Sequence, residues 1–185
     1  MPRFSLSTLG VDAPGIVRAV SGALADQGCN LEDSTMTVLQ GHFAILMVIT
    51  APDGSSAESL ESALGRAVTE FGLVVAVRPL AETAPGGSAR SAEAESSEPL
   101  SIVVHGSDRP GIVHAIAESI AEHGANIVEL STQLVGDPGS DSVYVMTLRA
   151  VANPGTGVDL IDAVRETARG LGVQCTARPD DADVL

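Results

Sequence analysis

The strongest constraint on this chain is that it is written twice. Gly10-Val11-Asp12-Ala13-Pro14-Gly15-Ile16-Val17 returns as Gly106-Ser107-Asp108-Arg109-Pro110-Gly111-Ile112-Val113, so that Asp12 and Asp108 stand 96 residues apart. The match runs without a gap through Gly28 and Gly124 to Asn30-Leu31 and Asn126-Ile127. Residues 72–79 match 172–179 at an offset of 100, which places a short insertion in the second copy at 136–141. A 185-residue chain that repeats in this way holds two small domains, each with a modest core. Between the copies, 81–99 is rich in Ala, Ser, Glu, Gly and Pro with no large apolar residue, and reads as a flexible linker. The expected domains are 1–80 and 100–179, followed by an acidic tail at 180–185.

Within each copy the hydrophobic period changes in the same order. Phe4, Leu6 and Thr8 alternate with more polar neighbours, as do Leu100, Ile102 and Val104, and each set predicts a strand. Ile16, Val20, Ala23 and Leu24, and then Ile112, Ile116 and Ile120, recur at helical spacing and end at Gly28 or Gly124. Strands are predicted at 30–40 and 126–135, and again at 43–50 and 143–150. The 43–50 strand is apolar on both faces, as if covered on both sides. Ser55-Ser56-Ala57-Glu58 has the form of a capping box ahead of a helix with Leu60, Ala63, Leu64, Ala67, Val68 and Phe71 on one face. Leu160, Ile161, Val164, Ala168 and Leu171 repeat that stripe, and final strands fall at 73–77 and 173–177. Each copy reads βαββαβ. The fold class is α+β, with two ferredoxin-like domains whose four-stranded antiparallel sheets carry helices on one face.

The loop between first strand and first helix carries the chemistry. Gly10 and Gly106 suit a positive φ, Pro14 and Pro110 fix φ near helical values, and Asp12 and Asp108 are placed to cap the helix. Gly15 and Gly111 leave backbone amides open at the positive end of the helix dipole, where a small carboxylate could sit. The same loop would serve equally as a capped connection with no ligand. Asn30 and Asn126, after the helix-ending glycines, could bind an amino acid or act as turn residues. His105 ends the first strand of the second copy beside the loop, where the first copy has Leu9. His42, His114 and His123 read as solvated or helix-end residues.

Gly-x-Asp-x-Pro-Gly-Ile-Val, a helix, Gly-x-Asn-(Leu/Ile) and the following ββαβ pattern resemble ACT domains, and the tandem pair resembles the glycine cleavage system transcriptional repressor group. The resemblance implies amino-acid binding at ACT interfaces, with glycine or serine as the expected ligand. It makes Asp12, Gly15, Ile16 and Asn30, with Asp108, Arg109, Gly111, Ile112 and Asn126, the candidate ligand positions, and His105 joins them from its place beside the loop. Ala13 stands where the second copy has Arg109, so the two sites are not equivalent.

Other function classes fit poorly. Net charge is −14, every one of the ten basic residues is Arg, and three Phe, one Tyr and no Trp offer few stacking surfaces, which argues against direct nucleic-acid binding. No Gly-x-Ser-x-Gly, phosphate-binding Gly-x-x-x-x-Gly-Lys or supported Cys–His pair is present, so the chain is read as a regulator and not an enzyme. Cys29 and Cys175 are far apart and the histidines scattered, which gives neither a disulfide framework nor a metal site, and no cofactor is expected. With no apolar leader, and an apolar run of only 43–49, a cytoplasmic protein off the membrane is expected. The function expected is a homodimeric amino-acid sensor acting through a protein partner, in transcriptional control or on an enzyme. The alternative is an accessory or dimerising subunit of a separate metabolic enzyme or transporter.

Overall fold

The computed structural model describes residues 1–81, 97–136 and 142–180. The chain divides into two compact units, Met1–Gly86 and Gly87–Leu185. The first holds β1 (Arg3–Val11), α1 (Ile16–Asp26), β2 (Asn30–Leu39), β3 (His42–Thr50), α2 (Ala57–Ala67), a 3-10 turn (Thr69–Phe71) and β4 (Val74–Pro79). The second holds β5 (Glu98–Ser107), α3 (Ile112–Glu122), β6 (Asn126–Val135), β7 (Val143–Ala152), α4 (Gly157–Gly170) and β8 (Gln174–Pro179). Both sheets are antiparallel, in the orders β2-β3-β1-β4 and β6-β7-β5-β8. This is the split βαββαβ arrangement, repeated.

The period-2 and helical stripes meet in one core per unit. In the first, Leu6 and Ile49 from the sheet pack with Ile16, Val20, Leu60 and Leu64 from the two helices. In the second, Ile102, Met146 and Leu148 pack with Ile112, Ile116, Leu160 and Val164. Both helices thus lie on one face of their sheet. The other face of β3 is not covered within its unit, contrary to the two-sided pattern read from 43–50: Leu46 is 51% exposed.

Several local expectations shift. The α2 capping box is built one residue later, with the Ser56 hydroxyl accepting from the Ser59 amide and the Ser59 hydroxyl accepting from the Ser56 amide. Glu98, placed in the linker by composition, belongs to β5. Its carboxylate accepts from the Gly155 and Gly157 amides at 2.7 and 2.9 Å, at the start of α4. Asp180, assigned to the tail, donates its amide to the Pro99 carbonyl and pairs with Arg149 at 2.9 Å. The rest of the linker and tail, 82–96 and 181–185, and the insertion at 137–141 lie outside the described residues. A register shift between Leu31 and Asp33, and at the same place between Ile127 and Glu129, marks a bulge in both edge strands.

Candidate functional site

Each first helix begins in the same unusual way. Gly15 and Gly111 are the N-cap residues, at φ 99° and 95°, and neither α1 nor α3 has a side-chain cap or an acidic residue in its first turn. The other two helices are answered: Ser56 and Glu58 serve α2, Glu98 and Asp159 serve α4. The expected capping by Asp12 and Asp108 is therefore corrected. The helix starts after the glycine, and the left-handed turn carries the chain past both carboxylates, which stay exposed. The positive φ likewise belongs to Gly15 and Gly111 and not to Gly10 and Gly106. Those two are glycine because of close approach: a Cβ on Gly10 would lie 2.5 Å from Leu73 Cδ2, and one on Gly106 2.9 Å from Val173 Cγ1.

Helix N-termini with unanswered amides favour an anion. Gly15 and Gly111 are exposed at this end, while Ile16 and Ile112 are 1% and 2% exposed and serve as the first core residue of their helices, so only their backbone is available to a ligand. The two loops differ in their surroundings. Phe71 comes within contact distance of a Cβ built on Gly15, beside Ala13. In the second copy the Arg109 guanidinium reaches the Leu171 carbonyl at 3.5 Å, at the C-terminal end of α4, a position a cation favours. Arg109 is thus partly engaged in closing the loop onto α4.

His105 lines a small cleft of about 380 Å³ with Ser107, Ser142, Val143, Gly172 and Gln174, at the loop end of the second sheet. Tyr144, which the sequence reading did not single out, pairs with Gly106 across the sheet. Its phenol is pushed above its ordinary pKa, first by burial and then by the Asp108 carboxylate, which places it beside the loop. Phe43 holds the equivalent position opposite Gly10 and is buried. The signal was available in the repeat itself, as the one aromatic position that changes from Phe to Tyr.

Asn30 and Asn126 lie elsewhere. Asn30 pairs with Thr50, whereas the loop follows Val11, which pairs with His42. The length of β3, about 27 Å at strand rise, separates them. Asn126 pairs with Val151, at the corresponding far end of β7. No single copy brings its loop and its Asn together.

An open cleft of about 880 Å³ in the first unit runs between α2 and β4 and is lined by none of the candidate ligand residues. Among the described residues no group of His, Cys, Asp and Glu could hold a metal. Nor is any helix there long and apolar enough to cross a membrane.

Two ferredoxin-like units, each with a first helix that begins at a left-handed glycine, make this a tandem βαββαβ module. Residues 4–78 and 98–138 match the ACT domain, and the chain belongs to the ACT domain family. It is 25% identical over 127 residues to the glycine cleavage system transcriptional repressor of Escherichia coli, covering 68% of this chain and 61% of that protein. It is 35% identical over 79 residues to a UPF0237 protein of Methanopyrus kandleri, covering 42% of this chain and 88% of that one. A solved structure of an unknown protein from Galdieria sulphuraria superposes with a TM-score of 0.80 at 26% identity, over 97% of this chain and 98% of that chain.

Proposed function

We propose that this protein is a non-catalytic, amino-acid-responsive regulator acting through a protein partner in the cytoplasm. The observation that carries the reading is the pair of 11-residue helices that begin at a left-handed glycine with no carboxylate or hydroxyl on their first amides, whereas the Ser56 hydroxyl caps α2 and the Glu98 carboxylate answers the start of α4. An amino acid's carboxylate supplies the missing charge. The second loop is the stronger site, because Tyr144 and the exposed Asp108 stand together there and Asp108 can receive an ammonium group, while His105 lies at the same end of the sheet on its open face. Glycine or serine is the ligand that kinship with the glycine cleavage system repressor suggests.

Asn126 is a sheet length from its own loop, so it reaches such a ligand only when a second ACT domain is brought to it, in keeping with binding at interfaces between domains. Kinship with a transcriptional repressor supports a role in transcriptional control, and the net charge of −14 supports doing so without gripping DNA directly. Titration of the purified chain with free amino acids tests the ligand. A gel-shift assay at physiological salt tests the partner: a tight, salt-dependent complex with DNA alone would overturn partner-mediated action.

A further inference from the structure

The two copies share a scaffold but differ on the sheet face that the helices leave open. In the first unit this face presents Leu9, Leu46 and Val74, exposed by 55%, 51% and 70%. Cross-strand pairing places His105, Thr147 and Gln174 at the same three positions of the second unit. There Arg149, paired with Glu129 and Asp180, stands where the first unit has Val48. The first unit's face carries four large apolar side chains, Leu9, Leu46, Val48 and Val74, where the second has His105, Thr147, Arg149 and Gln174 and is apolar chiefly at Val103 and Val145.

The apolar face is also complementary to itself. Its rows across β2-β3-β1-β4 read Asp33, Val48, Ser5, Arg78, then Thr35, Leu46, Ser7, Ala76, then Thr37, Ala44, Leu9, Val74. A two-fold axis parallel to the strands, between β3 and β1, lays each row over its own reverse. Leu46 then meets the partner's Ser7, Leu9 meets the partner's Ala44, and Val74 meets the partner's Thr37, so large side chains enter gaps left by small ones. At the row ends Asp33 lies over the partner's Arg78, and Arg78 over the partner's Asp33. Three strands of nine or ten residues and the six of β4 present on the order of 500 Å² per copy and about 1,000 Å² per pair, at the threshold for a specific interface. The linker sequence, without a large apolar residue, has nothing suited to cover it.

We propose that the open face of the first unit's sheet is a self-association surface, on which two copies of the chain pack sheet against sheet about a two-fold axis parallel to the strands. This does not rest on the ligand reading. It is tested on the full chain by light scattering coupled to size exclusion, at tens of micromolar. The wild type should be oligomeric. Leu46→Glu puts two uncompensated charges in each interface and should raise the dissociation constant by at least about 100-fold, halving the mass. Thr147→Glu, the same change in the second unit, should leave the mass unchanged. Asp33→Arg should weaken association and Asp33→Arg with Arg78→Asp should restore it. All four positions are exposed, and circular dichroism checks that the fold survives. A monomeric wild type, or an unchanged mass for Leu46→Glu, overturns the proposal and leaves the face to a different protein. Failure of the double swap to restore association overturns the two-fold geometry.

Discussion

Glu98→Ala should destabilise the second unit alone. Thr156 begins α4 without a side-chain cap, and its hydroxyl instead donates to the Asn153 carbonyl. The amides around it are held by the Glu98 carboxylate at 2.7 and 2.9 Å. Losing a side-chain cap costs about 0.5–2 kcal/mol, and a hydrogen bond to a charged group is worth about 1.5–3 kcal/mol where it is shielded. Gly155 is exposed and water can replace part of that interaction, so about 2 kcal/mol is expected for the pair. For a domain of this size that lowers Tm by roughly 8–16 °C. Tyr144 is the chain's single tyrosine and the chain has no Trp, so tyrosine fluorescence during thermal unfolding reports the second unit selectively. Glu98→Gln, which keeps one acceptor oxygen, should lose about half as much. Ser56→Ala, which removes the α2 cap in the first unit, should not move the tyrosine transition. A Glu98→Ala transition within about 1 °C of wild type would refute the argument that a strand residue caps α4.

Thr8 is 2% exposed with its hydroxyl unpartnered among the described residues, and the second copy has Val104 in its place; Thr8→Val should stabilise the first unit by about 1 kcal/mol in urea denaturation, and a loss would show that the hydroxyl is satisfied. Glu32 is held below its ordinary pKa of 4.5 by a hydrogen bond from Thr50, then one from Arg3 and the Arg3 charge. A carboxyl with a depressed folded pKa contributes stability above 4.5 and loses it as pH falls through the folded value. Wild type and Glu32→Gln should therefore separate above pH 4.5 and converge below it, and a constant gap across the acid range would contradict this. Limited proteolysis should cut within 82–96 and yield two fragments of similar size, whereas cleavage inside either repeat with that segment protected would count against the domain boundaries.

Strand and helix order was legible because the apolar periods change cleanly from Phe4-Leu6-Thr8 to Ile16-Val20-Leu24, and because the repeat shows each element twice. What escaped the sequence was set by long-range geometry. Gly10 and Gly106 are small because Leu73 and Val173 press on them, a contact between residues some 60 positions apart. Asp12 and Asp108 look like helix caps in one dimension, but the left-handed glycine that follows each proline starts the helix beyond their reach. Ser55 and Ser56 both fit a capping pattern, and only the backbone at Ser56, φ −118°, selects between them. Composition drew the linker through Glu98, whose partners at Gly155 and Gly157 lie more than 50 residues away. For the candidate site, the loop was readable as a loop. The distance from it to Asn30 and Asn126 was not, because it follows from helix and strand running the full length of the sheet and back.

The central claim is that the second loop receives an amino acid's carboxylate, and isothermal titration calorimetry of the full chain with glycine and serine, alongside their amides, tests it most directly. Saturable binding of an amino acid is expected, with no measurable binding of the amide. His105→Leu with Arg109→Ala, which gives these two positions the residues of the first copy, should weaken it by about tenfold or more. No heat with any of the common amino acids, or equal binding of acid and amide, would contradict the account.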